Sequence, residues 1–228
     1  MLFRQASLSR RIEAQKSKKS MSVLGDIQSI RRRDPAAPTF MEVVVAYNGF
    51  HAVLIHRVSN ALWGLGLKAL ARFLANIARI LTGIEIHPEA KIGKRFFIDH
   101  GTGVVIGQTA IIGDDVTIYH GVTLGGFARK GQTEGKRHPT LADGSMVGAG
   151  AQVLGNITVG KDAKVGANSV LTIDVPEGCT AIGMPARIIC KDQSQRPYGM
   201  PARKTLDELG KVIDELQKDI DAIKGSGI

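Results

Sequence analysis

The chain predicts a mainly β fold, a parallel β-helix flanked by helices, on three observations. From Ile86 to Leu171 an aliphatic residue returns every six positions, at Ile86, Ile92, Ile98, Ile106, Ile112, Ile118, Leu124, Leu141, Val147, Val153, Val159, Val165 and Leu171. Glycine follows it at Gly93, Gly107, Gly113, Gly125, Gly148, Gly160 and Gly166. The 228 residues include 27 glycines and 43% apolar residues but only 5% aromatics, a composition that suits narrow coils lined with aliphatics. Neither the 3.6 period of a helix nor the 2.0 period of a single strand gives a six-residue return. A fixed short period marks a solenoid.

Each hexad forms one flat face, three hexads close one triangular coil, and the aliphatic residue points inward to stack on its equivalent one coil away. Corners need backbone conformations that Gly, Asn and Asp tolerate best. The rhythm slips by two residues after Ile98 and breaks between Leu124 and Leu141. On this reading the β-helix covers 84–190, with an extruded loop at 126–139. Long unpatterned loops in a strict repeat are more often functional than decorative.

Ahead of the solenoid, residues 22–83 read as an α-helical cap. Val23, Ile27 and Ile30 carry a weak helical pattern that ends in Arg31-Arg32-Arg33, before Asp34-Pro35 and Pro38 impose a turn. From Thr39 to Leu81 apolar residues recur at three and four, with Gly64 and Gly66 separating two helices and Gly83 marking the stop. Such a cap covers core and strand edges that the first coil would expose. Residues 1–21 read as a basic flexible extension. Residues 191–228 form a tail in which Leu206, Leu209, Ile213, Leu216, Ile220 and Ile223 make a heptad seam. A coiled coil between chains and a single helix docked on its own solenoid both satisfy that seam.

The formal charge of +9 raises nucleic acid as a partner, but the excess is concentrated at the N-terminus and no aromatic residues interleave the later basic residues. We therefore expect no nucleic acid. A solvated basic arm and attraction of a phosphorylated small molecule both account for the charge. No apolar run spans eighteen residues, so no membrane segment is expected. The two cysteines, Cys179 and Cys190, form no CxxC pair and suggest neither a disulfide framework nor a zinc knuckle. A reducing, cytoplasmic setting is the default.

Of six histidines, His51 and His56 fall in the cap and read as surface or capping residues, while His87, His100 and His120 lie in or beside the solenoid. Glu85 and His100 are fifteen residues apart and Asp99 precedes His100, so adjacent corners are expected to bring carboxylate and imidazole together. A carboxylate-oriented imidazole is a standard general base near neutral pH. A zinc enzyme would need three converging histidines. His100, His120 and His138 lack the short spacing such sites use, and no metal is expected.

Five motifs carry a resemblance: Ile86-His87-Pro88, Phe97-Ile98-Asp99-His100-Gly101-Thr102-Gly103, Val122-Thr123-Leu124-Gly125-Gly126, Arg137-His138-Pro139 and Gly183-Met184-Pro185-Ala186-Arg187. In order and spacing the chain resembles serine O-acetyltransferases of the hexapeptide-repeat acyltransferase group, over roughly residues 30–190. The resemblance implies a left-handed parallel β-helix and transfer of acetyl from acetyl-CoA to the L-serine hydroxyl, giving O-acetyl-L-serine for cysteine synthesis. It makes His100 the catalytic base and Glu85 the carboxylate that orients it. It assigns Asp34, Asp99, Arg137 and His138 to the serine zwitterion, carboxylates for the ammonium and Arg for the carboxylate. Coenzyme A would lie along a groove between subunits against Gly126, Ala149 and Ala167, as co-substrate rather than permanently bound cofactor. The loop bearing Arg137 and His138 would close over a site shared between copies.

Two departures stand out. Gln108 occupies a place where the family commonly has Glu in Gly-Glu-Thr, and Glu85 is one methylene longer than the commoner Asp. The resemblance also implies L-cysteine as feedback inhibitor, a homotrimer or dimer of trimers, and capture of O-acetylserine sulfhydrylase by the C-terminal Ile228. The alternatives are an acetyltransferase for another hydroxyl or amino acceptor and a regulatory scaffold that binds the sulfhydrylase.

Overall fold

The computed structural model describes residues 23–36, 39–127, 135–190, 213–214 and 216–218. The basic extension, most of the tail including Ile228, and the middle of the extruded loop lie outside the described residues. Among the described residues, four helices precede the solenoid: α1 (Val23–Arg33), α2 (Phe40–Ala46), α3 (Asn48–Gly64) and α4 (Lys68–Thr82). A capping box starts α2, where the Thr39 hydroxyl accepts from the Glu42 amide and the Glu42 carboxylate accepts from the Thr39 amide. Gly83 ends α4 in the left-handed conformation at φ 72°, as its place after the last apolar turn predicts. Residues 65–67 separate α3 from α4 as the two glycines predict, and Tyr47 stands extended between α2 and α3.

The solenoid has three parallel faces. The first stacks Glu85–Ile86, Val105–Ile106, Thr123–Gly125, Gln152–Leu154 and Val170–Leu171; the second stacks Lys91–Ile92, Ile111–Ile112, Thr140–Leu141 and Thr158–Val159. Phe97–Asp99, Thr117–Tyr119, Met146–Val147, Lys164–Val165 and Thr180–Gly183 form the third, which Ala186–Ile189 closes as an antiparallel hairpin strand. The thirteen repeat residues form the inner column, and twelve are no more than 5% exposed. Burying each stabilises the coil by roughly 1.5–3 kcal/mol. Ile92 is the partly buried one, because it borders a small cavity beneath α3 with Val53, His56 and Asn60.

Register shows where the repeat is stretched. Val147 lies opposite Val165, a coil of 18 residues, whereas Ile98 lies opposite Ile118, a coil of 20, and Ile112 opposite Leu141, a coil of 29. The additional residues fall at corners, so the column keeps its alignment. One lengthened corner, 100–104, joins the third face to the first and starts at His100; we call it the histidine corner. The other, 126–139, joins the first face to the second and ends in Arg137 and His138; we call it the arginine corner.

The cap is fastened to the solenoid by buried polar groups. Arg33 donates to the carbonyl oxygens of Arg95, Asp115 (3.1 Å) and Val116 (3.2 Å) and to Thr117 Oγ1 (2.9 Å), and lies over the Phe97 ring. Asp26 pairs with Arg57 at 2.7 Å and accepts from the Arg95 amide at 3.0 Å. At Gly49 in α3 a Cβ would lie 2.2 Å from the Ile98 carbonyl oxygen, so only glycine lets this helix approach the strand that ends in Asp99.

Two readings of the sequence are corrected. His56 is buried between α3 and the first coil rather than at the surface, and burial pushes its pKa down to about 4. Cys179 and Cys190 form a disulfide, with Cα atoms 4.5 Å apart. The hairpin pairs Thr180 with Ile189, which sets the next residues outward, the two cysteines, side by side. Their separation of eleven residues gives no hint of this without the strand reversal at Met184-Pro185.

Candidate active site

His100 heads the histidine corner with φ 60°, a left-handed conformation that a non-glycine residue adopts at a cost of order 1 kcal/mol. The conformation turns its side chain outward, 75% exposed. Asp99 Oδ1 lies 3.9 Å from His100 Nε2, and the His120 ring meets the His100 ring edge-on at a centroid distance of 5.7 Å. Asp34, at the end of α1, faces the same space. Its Oδ1 accepts from the Ala36 amide at 2.8 Å and its Oδ2 accepts from the Tyr47 hydroxyl at 2.5 Å. Asp34, Tyr47, Asp99, His100 and Thr102 line one cavity of about 370 Å³.

Burial pushes the Asp99 carboxyl up from the ordinary carboxylate value, and the His100 ring opposes that shift. Burial and the bond to Asp34 raise the Tyr47 hydroxyl, keeping it a donor. Tyr47 holds the Asp34 carboxylate in place, a role invisible in the sequence because it depends on the α2–α3 break.

The arginine corner is held by Thr109, whose hydroxyl accepts from the Arg137 amide at 3.0 Å and the His138 amide at 3.1 Å. The Thr109 amide donates to His138 Nδ1 at 3.2 Å, so the neutral ring carries its proton on Nε2. Burial, with Arg137 and Lys136 nearby, lowers the His138 pKa to about 4, so the ring stays neutral near pH 7. The ring lies over Gly107, where a Cβ would come 2.0 Å from its Nε2, and beside Gly126. Arg137 Nη2 donates to Gln108 Oε1 at 2.7 Å.

The chain therefore divides the expected site between two edges. Asp34, Asp99 and His100 come together at the histidine corner; Ala149 and Ala167 lie further along the same edge, in the third and fourth coils. Arg137, His138 and Gly126 gather at the arginine corner. Glu85 stands on the first face, opposite Val105, in a separate cavity of about 310 Å³ with Arg72, Asn76, Arg79 and His87. Within one chain it lines a different cavity from His100: Glu85 lies on the first face in register with Val105, whereas His100 opens the corner that leads into that strand. The three histidines weighed for zinc are likewise split between the two corners. Among the described residues, no group of three or more His, Cys, Asp or Glu side chains is placed to hold a metal ion, and no helix is long and apolar enough to cross a membrane.

Comparison with known proteins follows this geometry. The chain is 50% identical over 204 residues to the serine acetyltransferase of Mycobacterium tuberculosis, covering 89% of this chain and 87% of that one. The chain belongs to the serine acetyltransferase family. The Bacillus subtilis serine acetyltransferase is 49% identical over 203 residues, 86% of this chain and 92% of its own. The family model for the serine acetyltransferase N-terminal region matches residues 4–54, and that for bacterial transferase hexapeptide repeats matches residues 138–172. Three solved serine acetyltransferases superpose on the chain. One in complex with cysteine has a TM-score of 0.72 at 46% identity, covering 78% of this chain and 68% of that one. The Neisseria gonorrhoeae protein in complex with serine has 0.69 at 43%, covering 76% and 69%. The Brucella abortus protein in complex with coenzyme A has 0.70 at 44%, covering 74% and 66%.

Proposed function

We propose that this chain transfers the acetyl group of acetyl-CoA to the hydroxyl oxygen of L-serine, giving O-acetyl-L-serine and CoA. One observation carries the reading beyond family membership: two carboxylates and an imidazole on one edge, a guanidinium and a neutral imidazole on the other. That division suits a zwitterion with a reactive hydroxyl. The ammonium sits between Asp34 and Asp99, and Arg137 receives the carboxylate through paired N–H donors. His100 takes the hydroxyl proton as the oxygen attacks the thioester carbonyl. The tetrahedral intermediate then expels the CoA thiolate, which takes the proton from the imidazolium. His138, neutral with a proton on Nε2, is a donor for the oxygens gathered there.

Because the halves sit on different edges, the working site needs a second copy whose arginine corner and Glu85 face this chain's histidine corner. A homotrimer supplies that arrangement three times. Exposed Leu65, Leu70, Phe73, Ile80 and Leu81 on the cap offer an apolar surface through which two trimers would join. CoA would run between copies along Gly126, Ala149 and Ala167. L-Cysteine, which differs from serine only at the reacting atom, would occupy the same contacts as an inhibitor.

Acceptor-screened thiol release from acetyl-CoA tests the reading. L-Serine should accelerate release far above homoserine, sugars and amines; a preference for one of these others rejects it. Ile228, an apolar side chain beside a free carboxylate, is proposed as the ligand for O-acetylserine sulfhydrylase. Deleting it should abolish co-elution with the sulfhydrylase while acetyl transfer stays unchanged, and persistent co-elution rejects the assignment.

A further inference from the structure

Along the arginine corner, polar side chains from three successive coils are joined end to end. Gln108 Nε2 donates to Glu89 Oε2 at 2.7 Å, and Gln108 Oε1 accepts from Arg137 Nη2 at 2.7 Å. Only one orientation of the amide satisfies both bonds, because a guanidinium only donates and a carboxylate only accepts. An amide can do both at once, through separate atoms. All three residues are half-buried, and Lys91 and Lys136 line the adjoining cavity of about 210 Å³ with Glu89 and Gln108.

We infer that Gln108 and Glu89 are positioning residues for Arg137, a relay that aims the guanidinium at the carboxylate of the amino-acid substrate. The inference rests on the proposed role of Arg137 in holding that carboxylate. Thr109 fixes the Arg137 backbone, and among the described residues the Gln108 bond fixes its side-chain terminus. The relay also sets where the negative charge sits. Here Glu89 stands one residue back and polarises the amide, so Arg137 is held by a neutral oxygen and its remaining N–H groups stay available.

The relay makes a counter-intuitive expectation. Gln108→Glu introduces the residue common in the family, yet in this chain it sets two carboxylates at hydrogen-bonding distance, which cannot both ionise without cost. The KM for L-serine should rise about tenfold, with kcat and the KM for acetyl-CoA little changed. Adding Glu89→Gln exchanges the two groups, so that the amide at position 89 donates to the carboxylate at position 108, which still accepts from Arg137. The double variant should return to within about twofold of wild type. Gln108→Leu should show the same loss, and Glu89→Gln should not rescue it. Thermal unfolding of each variant identifies any that fails to fold.

A wild-type KM in Gln108→Glu, or a double variant no better than the single one, overturns the relay. The nitrogen-15 guanidinium signals of Arg137 give a readout that needs no substrate. Rotation about its Cζ–Nη bond should be slow in the unliganded wild type and fast in Gln108→Leu. Equal rotation in the two also overturns the relay, whereas absence of serine-dependent thiol release with slowed rotation overturns only the proposed substrate.

Discussion

Replacing His100 with Ala lowers serine-dependent thiol release by about 10²–10⁴-fold while leaving the solenoid folded, the span expected for loss of a general base. The side chain is 75% exposed and makes no core contact, so its removal should change stability by less than about 0.5 kcal/mol. His100→Gly sharpens the test, because glycine adopts φ 60° without strain and keeps the corner shape. Added imidazole should partly restore turnover in that smaller variant. Turnover within tenfold of wild type in either variant would remove His100 from the chemistry.

Mixing two dead proteins should produce a live one. His100→Ala leaves the arginine corner intact, and Arg137→Ala leaves the histidine corner intact. In a closed ring of chains assembled at random from equal amounts, about a quarter of the interfaces join the two intact halves. Activity near a quarter of wild type is therefore expected after co-refolding, against almost none for either parent. If both halves of the site served the same chain, the mixture would be as inactive as its parents. That outcome would reject the shared site and leave the role of His100 standing.

The fold was legible because the inward residue repeats every six positions regardless of what happens at the corners. Ile112 and Leu141 are neighbours across a 29-residue coil, yet both announce themselves by chemistry. The candidate site was less legible because its contacts run between coils, and coil length varies. Arithmetic on an eighteen-residue coil cannot show that Gln108 lies between Glu89 and Arg137, since that corner sits where the coil is stretched. Tyr47 reaches Asp34 through a helix break that the apolar pattern runs straight across. Arg33 looked like part of a basic surface run, and is instead the anchor that sets Asp34 beside the third face. Glu85 and His100 line separate cavities within one chain, because Glu85 lies on the first face and His100 at the corner before it. The Cys179–Cys190 bond is not legible because it depends on a strand reversal that a parallel repeat does not announce, at the hairpin between them.

The stretched arginine corner also says where such a protein can change. Leu124 pairs with Val153 and Leu141 with Val159, so the residues between Leu124 and Leu141 enter and leave without shifting the core by one position. Lengthening a loop there costs little, about 0.6 kcal/mol for each doubling. A single residue inserted in any face instead turns the inward column outward. Selection for new acceptors can therefore edit the loop beside Arg137 almost freely, while the strands of the three faces do not tolerate a single inserted residue.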